Sequence, residues 1–243
     1  HAFDNPDLAR LALPSAQRYA KIAPSSYHAQ HMPAHIFVQL GMWPEAAESN
    51  ENGWATSKKW VKREKLPKSK LDYHSLQWLH YVYLQQGLMD KAEAIFKTQQ
   101  KDMAEGIQGA AKFKHNPNLN SGKYYHNMLA SATIETEQWE KAKQLIPPQG
   151  WKPKTNSKAG YYFVRGYAAA MQGDNEAKKH FASLKALQEK VREYFSRLPK
   201  NLKVWELEQN ILLWELEQKM AVWELEIKTA IKLYKKDYKA AIQ

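Results

Sequence analysis

Five times along the chain an aromatic-rich stretch runs into a short turn and then a second helix-forming stretch. In four of these an alanine stands five residues past the turn residue: Gly41 and Ala46, Gly87 and Ala92, Glu137 and Ala142, Lys236 and Ala241. The remaining one turns at Gly173-Asp174 and is followed by Phe181. A single helical hairpin cannot bury its own apolar face, so recurrence of the hairpin predicts stacking of each unit on its neighbours, an α-solenoid. The prediction is therefore an all-α array of about five helical hairpins over residues 1–200, followed at 201–243 by a long C-terminal helix and the start of a further hairpin. With 10 Gly and 11 Pro in 243 residues, a β-sandwich with many tight turns is disfavoured.

The start of the chain, with a turn at Asp4-Asn5-Pro6 and a helix to about Ile22, reads as the inside of a helical hairpin and hence as a processed chain or a fragment. Pro14 is expected to kink that helix. Ser25 or Ser26 can cap the next helix, which Pro33 should bend or restart, and Pro44 suits the first turn of its partner, where a missing N–H costs nothing. Loops are expected at Asn116 to Gly122 and Trp151 to Ser157. From Val204 to Ala230 three nine-residue units, VWELEQNIL, LWELEQKMA and VWELEIKTA, follow one another. Nine residues make about 2.5 helical turns, so Trp205 and Trp223 share a face that Trp214 opposes. Such a helix is apolar nearly all round and calls for burial on both sides, between two layers of the array or against a second protomer, with the homodimer favoured.

Glycine at the turn, an aromatic two residues on, alanine at five and an aromatic at nine resemble the tetratricopeptide repeat family. The likeness covers most of the chain, although the units run at 36 to 50 or more residues against about 34 in the family. The segment HMPAHIF with LGMW also resembles a bacterial subgroup of such proteins, many of them exported. The resemblance implies a right-handed superhelix whose first helices line a concave groove that binds a protein or peptide. It places lining residues thirteen, ten and six positions before each turn residue: His28, His31 and His35, then His74, Gln77 and Tyr81, then Tyr124, Asn127 and Ser131.

His28, His31 and His35 are spaced three and then four residues apart, which puts their imidazoles on one helical face. With His74, and with His1 and Asp4 of the partial first unit, they could hold Zn²⁺, Cu²⁺ or Ni²⁺, because three nitrogens plus a carboxylate or water complete a four-coordinate shell. Pro33 between His31 and His35, and the lack of an HExxH motif, weigh against this metal set. The leading expectation is a scaffold with a His/Tyr-lined groove that needs no cofactor; a metal-binding protein, hydrolytic in one version, is the alternative. Nucleophilic catalysis finds no support in a chain without cysteine, a GxSxG elbow or a phosphate-cradling loop, so it reads as a binder rather than an enzyme.

The net charge of +11 favours anionic partners. The basic stretch from Lys58 to Lys70, with Trp60 inside it, would suit nucleic acid, but a helix C-terminus and a solvated loop account for it more simply. Glu45, Glu48 and Glu51 read as a solvated face. No run reaches the ~20 apolar residues of a membrane span and no signal segment starts the chain, which leaves exported and cytoplasmic locations both open.

Overall fold

The computed structural model describes residues 2–110, 119–143, 145, 155–198 and 204–236, with side chains except at 106–110, 119–123, 155–157 and 204–215. His1, Ala241 and the side chains of Trp205 and Trp214 lie outside this description. Every regular element among the described residues is helical: α1 (Ala9–Ile22), α2 (Tyr27–His31), α3 (Pro33–Gln39), α4 (Trp43–Arg63), a 3₁₀ turn (Lys68–Lys70), α5 (Tyr73–Gln85), α6 (Met89–Ala110), α7 (Leu119–Thr136), α8 (Trp139–Lys143), α9 (Thr155–Met171), α10 (Glu176–Ser196) and α11 (Val204–Tyr234). Residues 119–122 and 155–157, expected in loops, are thus helical. None of these helices is long and apolar enough to cross a membrane. The chain forms two compact units, 1–132 and 133–243.

The turn residues share one backbone state. Gly41, Gly87 and Gly173 have φ of 68°, 70° and 68°, and Glu137 and Lys236 adopt 52° and 59°. The left-handed conformation lets the chain leave a helix while satisfying its last carbonyls: Met42 N–H donates to Phe37 O at 2.9 Å and Gly41 N–H to Val38 O at 3.1 Å, with the same pair of bonds at Leu88 and Gly87. The turns at Gly41, Gly87 and Glu137 place the alanine five residues on in the interior, where Ala46, Ala92 and Ala142 are buried. An alanine lets two helix backbones approach closely. In the first unit the alanines join Phe37, Leu79, Val82 and Leu84 in one core, while Tyr73, Leu76 and Met128 form a second. Each such leucine contributes on the order of 2 kcal/mol through apolar area removed from water.

Gly173 carries a second constraint. A Cβ there would lie 1.9 Å from Cε1 of Tyr234, the last residue of α11. Gly173→Ala is therefore expected to cost about 1–2 kcal/mol, from left-handed strain and from expulsion of Tyr234. A thermal melt checks this, and adding Tyr234→Ala should recover the steric part alone; an unchanged melting point would refute the packing.

In the second unit α11 lies on α9 and α10. Its buried stripe is Glu217, Met220, Glu224 and Ile227, at helical spacing. Because 2.5 turns separate equivalent positions of the nine-residue units, this stripe draws on different positions in successive units. The buried Glu217 carboxylate accepts from Gln188 Nε2 at 2.9 Å and Arg192 Nε at 2.6 Å. Trp223 stacks on Phe163 with ring centroids 4.7 Å apart. The expected burial on both sides by the chain's own layers is not found on the described part: Val222 and Leu225, off the stripe, are 53% and 62% exposed.

Two further histidines, His80 on α5 and His126 on α7, are buried, and burial lowers both to about 4. A folded-state pKa below the unfolded 6.5 means that the unfolded chain takes up the proton first, so their contribution to stability is complete above pH 6.5 and is lost as pH falls toward 4. At pH 5 this loss amounts to about 2 kcal/mol for each. The urea midpoint should fall between pH 7 and pH 5, and His80→Gln and His126→Gln should flatten that slope; an unchanged slope in both variants would contradict the assignment.

Candidate metal centre

The site is built on α4, whose inward stripe of Ala46, Asn50, Gly53 and Ser57 is small or polar and buried. Ser57 Oγ accepts from the Asp72 N–H at 2.7 Å, which fixes the start of α5, and Asp72 in turn caps α5 by accepting from Ser75 N–H at 3.3 Å. Ser49 Oγ donates to Gln30 O at 2.6 Å, which fixes α2. Gly53 allows the closest approach: a Cβ there would meet Ser75 Oγ at 2.8 Å and His31 Cβ at 3.2 Å. Helices α2 and α5 are thereby both drawn close to α4 at Gly53, and His31 meets His74.

Pro33 restarts the helix instead of deflecting the chain. Helix α2 ends at His31, Met32 serves as its C-cap and as the N-cap of the next helix, and Pro33 opens α3. Ser26 Oγ caps α2 by accepting from Ala29 N–H at 3.3 Å. His31 and His35 remain one turn apart, with their Nε2 atoms 3.1 Å apart. His74 joins them, its ring centroid 4.6 Å from that of His31. One ligand nitrogen from each of His31, His35 and His74 can be chosen so that all lie within 4.8 Å of one another.

The hydrogen bonds behind the rings determine their tautomers. Asn50 Nδ2 donates to Ala46 O at 2.8 Å, so its Oδ1 faces His31 Nδ1, 2.7 Å away. Since an amide oxygen only accepts, His31 carries its proton on Nδ1 and presents a lone pair at Nε2. His35 Nδ1 likewise donates to Asp4 Oδ2 at 2.6 Å, and Gln39 Nε2 donates to Asp4 Oδ1 at 3.1 Å. Burial lowers His31 to about 3 against the Asn50 hydrogen bond, with His74, His35 and His28 adding to the lowering, so the ring is neutral at pH 7. With Nδ1 donating on both rings, the two Nε2 atoms face each other across 3.1 Å, and a proton or a metal cation between them satisfies the pair.

Trp78, four residues after His74, closes the cluster, with its ring 4.4 Å from that of His35, 5.7 Å from His31 and 6.1 Å from His74. His31 and His35 are buried and His74 is partly exposed, so the cluster is reached from the His74 side. Tyr124 lies next along that side, its ring 6.2 Å from His74. Farther along, Asn127 Nδ2 donates to Gln77 Oε1 at 3.1 Å, and Val38, Gln77, Trp78, Tyr81 and Ser131 line a cleft of about 270 Å³.

Of the residues expected at the groove, His31, His35 and His74 come together, Tyr124 lies beside His74, and Asn127 bonds Gln77, which lines the cleft with Tyr81 and Ser131; the exception is His28. That residue is exposed, its ring 6.4 Å from His31, and it lines a separate apolar cavity of about 400 Å³ with Phe3, Met32 and Ile36. Asp4 stands behind His35, on the ring nitrogen turned away from His31. Asn50, Gly53 and Trp78 were not singled out from the sequence. Trp78 could have been found as the residue one turn after His74, and Asn50 as the residue one turn after the buried Ala46.

The basic stretch is partly committed to internal contacts. Lys68 Nζ donates to Glu105 at 2.7 Å and Asp102 at 3.1 Å, which raises its pKa, and Trp60 packs on Tyr27 with ring centroids 5.5 Å apart. Glu51 accepts from Tyr83 Oη, while Glu45 and Glu48 are exposed. Compared with protein-family models, curated proteins and solved structures, the chain finds no match, so its function is argued from this geometry.

Proposed function

We propose that the chain is a tetratricopeptide-like helical-repeat scaffold whose His31, His35 and His74 bind one divalent transition-metal ion, with a fourth position left for an outside ligand. The carrying observation is the pair of acceptor nitrogens of His31 and His35, each held in its tautomer from behind and 3.1 Å apart. Two nitrogens at ~2.0–2.1 Å from a tetrahedral Zn²⁺ stand about 3.3 Å apart, close to that separation. A shared proton would also relieve the pair, but a proton needs no third nitrogen, whereas His74 supplies one. The Asp4 carboxylate behind His35 and the Asn50 amide behind His31 supply the outer hydrogen bonds that orient metal-binding imidazoles and raise their basicity. Elemental analysis and a Zn²⁺ or Co²⁺ titration of the purified protein test the reading: one equivalent is expected, and no stoichiometric uptake would sink it.

The groove reading persists beside it. It is supported by the partly exposed wall of Tyr81, Tyr124, Gln77 and Asn127, which continues away from the histidines. Three nitrogens and an open position suit binding of a ligand at the metal.

A further inference from the structure

The metal centre and the amide-lined cleft are joined by one side chain. Trp78 touches all three imidazoles and also lines the cleft with Val38, Gln77, Tyr81 and Ser131. A ligand atom on the fourth metal position therefore continues over the indole toward Gln77, which lies on the turn of α5 between His74 and Tyr81.

Charge selects what that ligand atom is. The three imidazoles are neutral ligands, so a divalent ion keeps both positive charges in its inner shell, and Asp4 returns one negative charge from behind His35. The remaining positive charge favours an anionic oxygen at the open position. Hydrogen bonding selects the next group. Gln77 lines the cleft, and with its Oε1 occupied by the Asn127 Nδ2 donor its remaining polar group is the amide N–H₂. A donor there matches the carbonyl of an acyl group. Val38, Trp78 and Tyr81 then offer apolar surface for a side chain of modest size, within a volume of about 270 Å³.

We infer that the groove binds an N-acylated α-amino acid, its carboxylate on the metal, its acyl carbonyl on the Gln77 amide and its side chain in the Trp78–Tyr81 cleft. The inference rests on the metal reading above. The same chemistry is presented by a free N-acyl amino acid and by the C-terminal residue of a peptide, and the experiment separates the two.

The probe is the Co²⁺-loaded protein, whose visible absorption reports on the fourth ligand. Titration compares N-acetyl-leucine, N-acetyl-leucinamide, acetate and the blocked tetrapeptide N-acetyl-Ala-Ala-Ala-Leu. N-acetyl-leucine is expected to shift the spectrum and bind at least tenfold more tightly than acetate, which lacks the amide, and than the leucinamide, which lacks the anion. Gln77→Ala should bring N-acetyl-leucine down to the affinity of acetate while Co²⁺ uptake and acetate binding stay as in the wild type. A tetrapeptide equal to or tighter than N-acetyl-leucine assigns the ligand to a chain terminus; one bound at least tenfold more weakly assigns it to a small molecule. Acetate as tight as N-acetyl-leucine, or no effect of Gln77→Ala, would overturn the inference with the metal centre intact, whereas failure to take up Co²⁺ would overturn both.

Discussion

Alanine at His31 or at His35 abolishes stoichiometric Zn²⁺ uptake, with a loss larger than the roughly 10–100-fold that removal of an outer hydrogen-bond partner costs. The expectation follows from the ligand count: among the described residues the cluster has three nitrogens, and two histidines cannot complete a closed shell with water as tightly. The outer partners grade the effect. Asp4→Asn keeps an acceptor for His35 Nδ1 but removes the charge that raises the basicity of the ring, and about a tenfold loss is expected. Asn50→Leu removes the acceptor that fixes the His31 tautomer, so the buried Nδ1–H loses its partner, and a loss toward 100-fold is expected. Stability gives an independent readout. A ligand that binds only the folded chain at 100 times its Kd stabilises it by about 2.7 kcal/mol, so saturating Zn²⁺ should raise the melting point of the wild type and leave His31→Ala unchanged. Full metal occupancy in His31→Ala, measured by elemental analysis of folded protein, would refute the centre.

Gly53→Val is expected to be the most disruptive single change outside the histidines. The Gly53 Cβ position lies 2.8 Å from Ser75 Oγ and 3.2 Å from His31 Cβ, and Ser75 is itself held by its hydrogen bonds to Asp72. Alanine here would gain about 1 kcal/mol of helix propensity and lose about 1–3 kcal/mol to overpacking, so its net effect is small. Valine adds two methyl groups to the same gap and gives up most of the propensity gain, so a destabilisation above about 2 kcal/mol is expected. The displacement separates α4 from α2 and α5 together, so metal affinity should fall in the same variant. Ser75→Gly in the Gly53→Ala background removes the closest atom and should recover part of any loss. Wild-type stability and metal affinity in Gly53→Val would show that α4 does not set the spacing of His31 and His74.

Both expectations turn on residues that one-dimensional reading treats differently. Gly41, Gly87 and Glu137 were legible as turn residues because the left-handed state ends a helix at a fixed offset from a buried alanine, and at Glu137 that offset survives without glycine. The spacing of His28, His31 and His35 puts them on one helical face, while the offsets of His74, Tyr124 and Asn127 from the turns are what the repeat resemblance implies. Periodicity gives the face of a helix but not how far its side chains reach, and His28 shows the difference: it shares the spacing of His31 but faces a separate apolar cavity.

Local sequence therefore determined that this chain is helical, where its hairpins turn, and that histidines gather on one flank of the first unit. At Pro33 it left a bend or a restart open, and the structure shows the restart, with Pro33 opening α3. Tertiary structure alone decided which imidazoles meet and in which protonation form. Those depend on groups far away in sequence: Asn50 orients His31 across 19 positions, Asp4 orients His35 across 31, and Gly53 lets α2 and α5 close on α4. A tautomer is set by the acceptor behind the ring, and a coordination distance by the packing of three helices, and neither is a property of any local stretch of the chain.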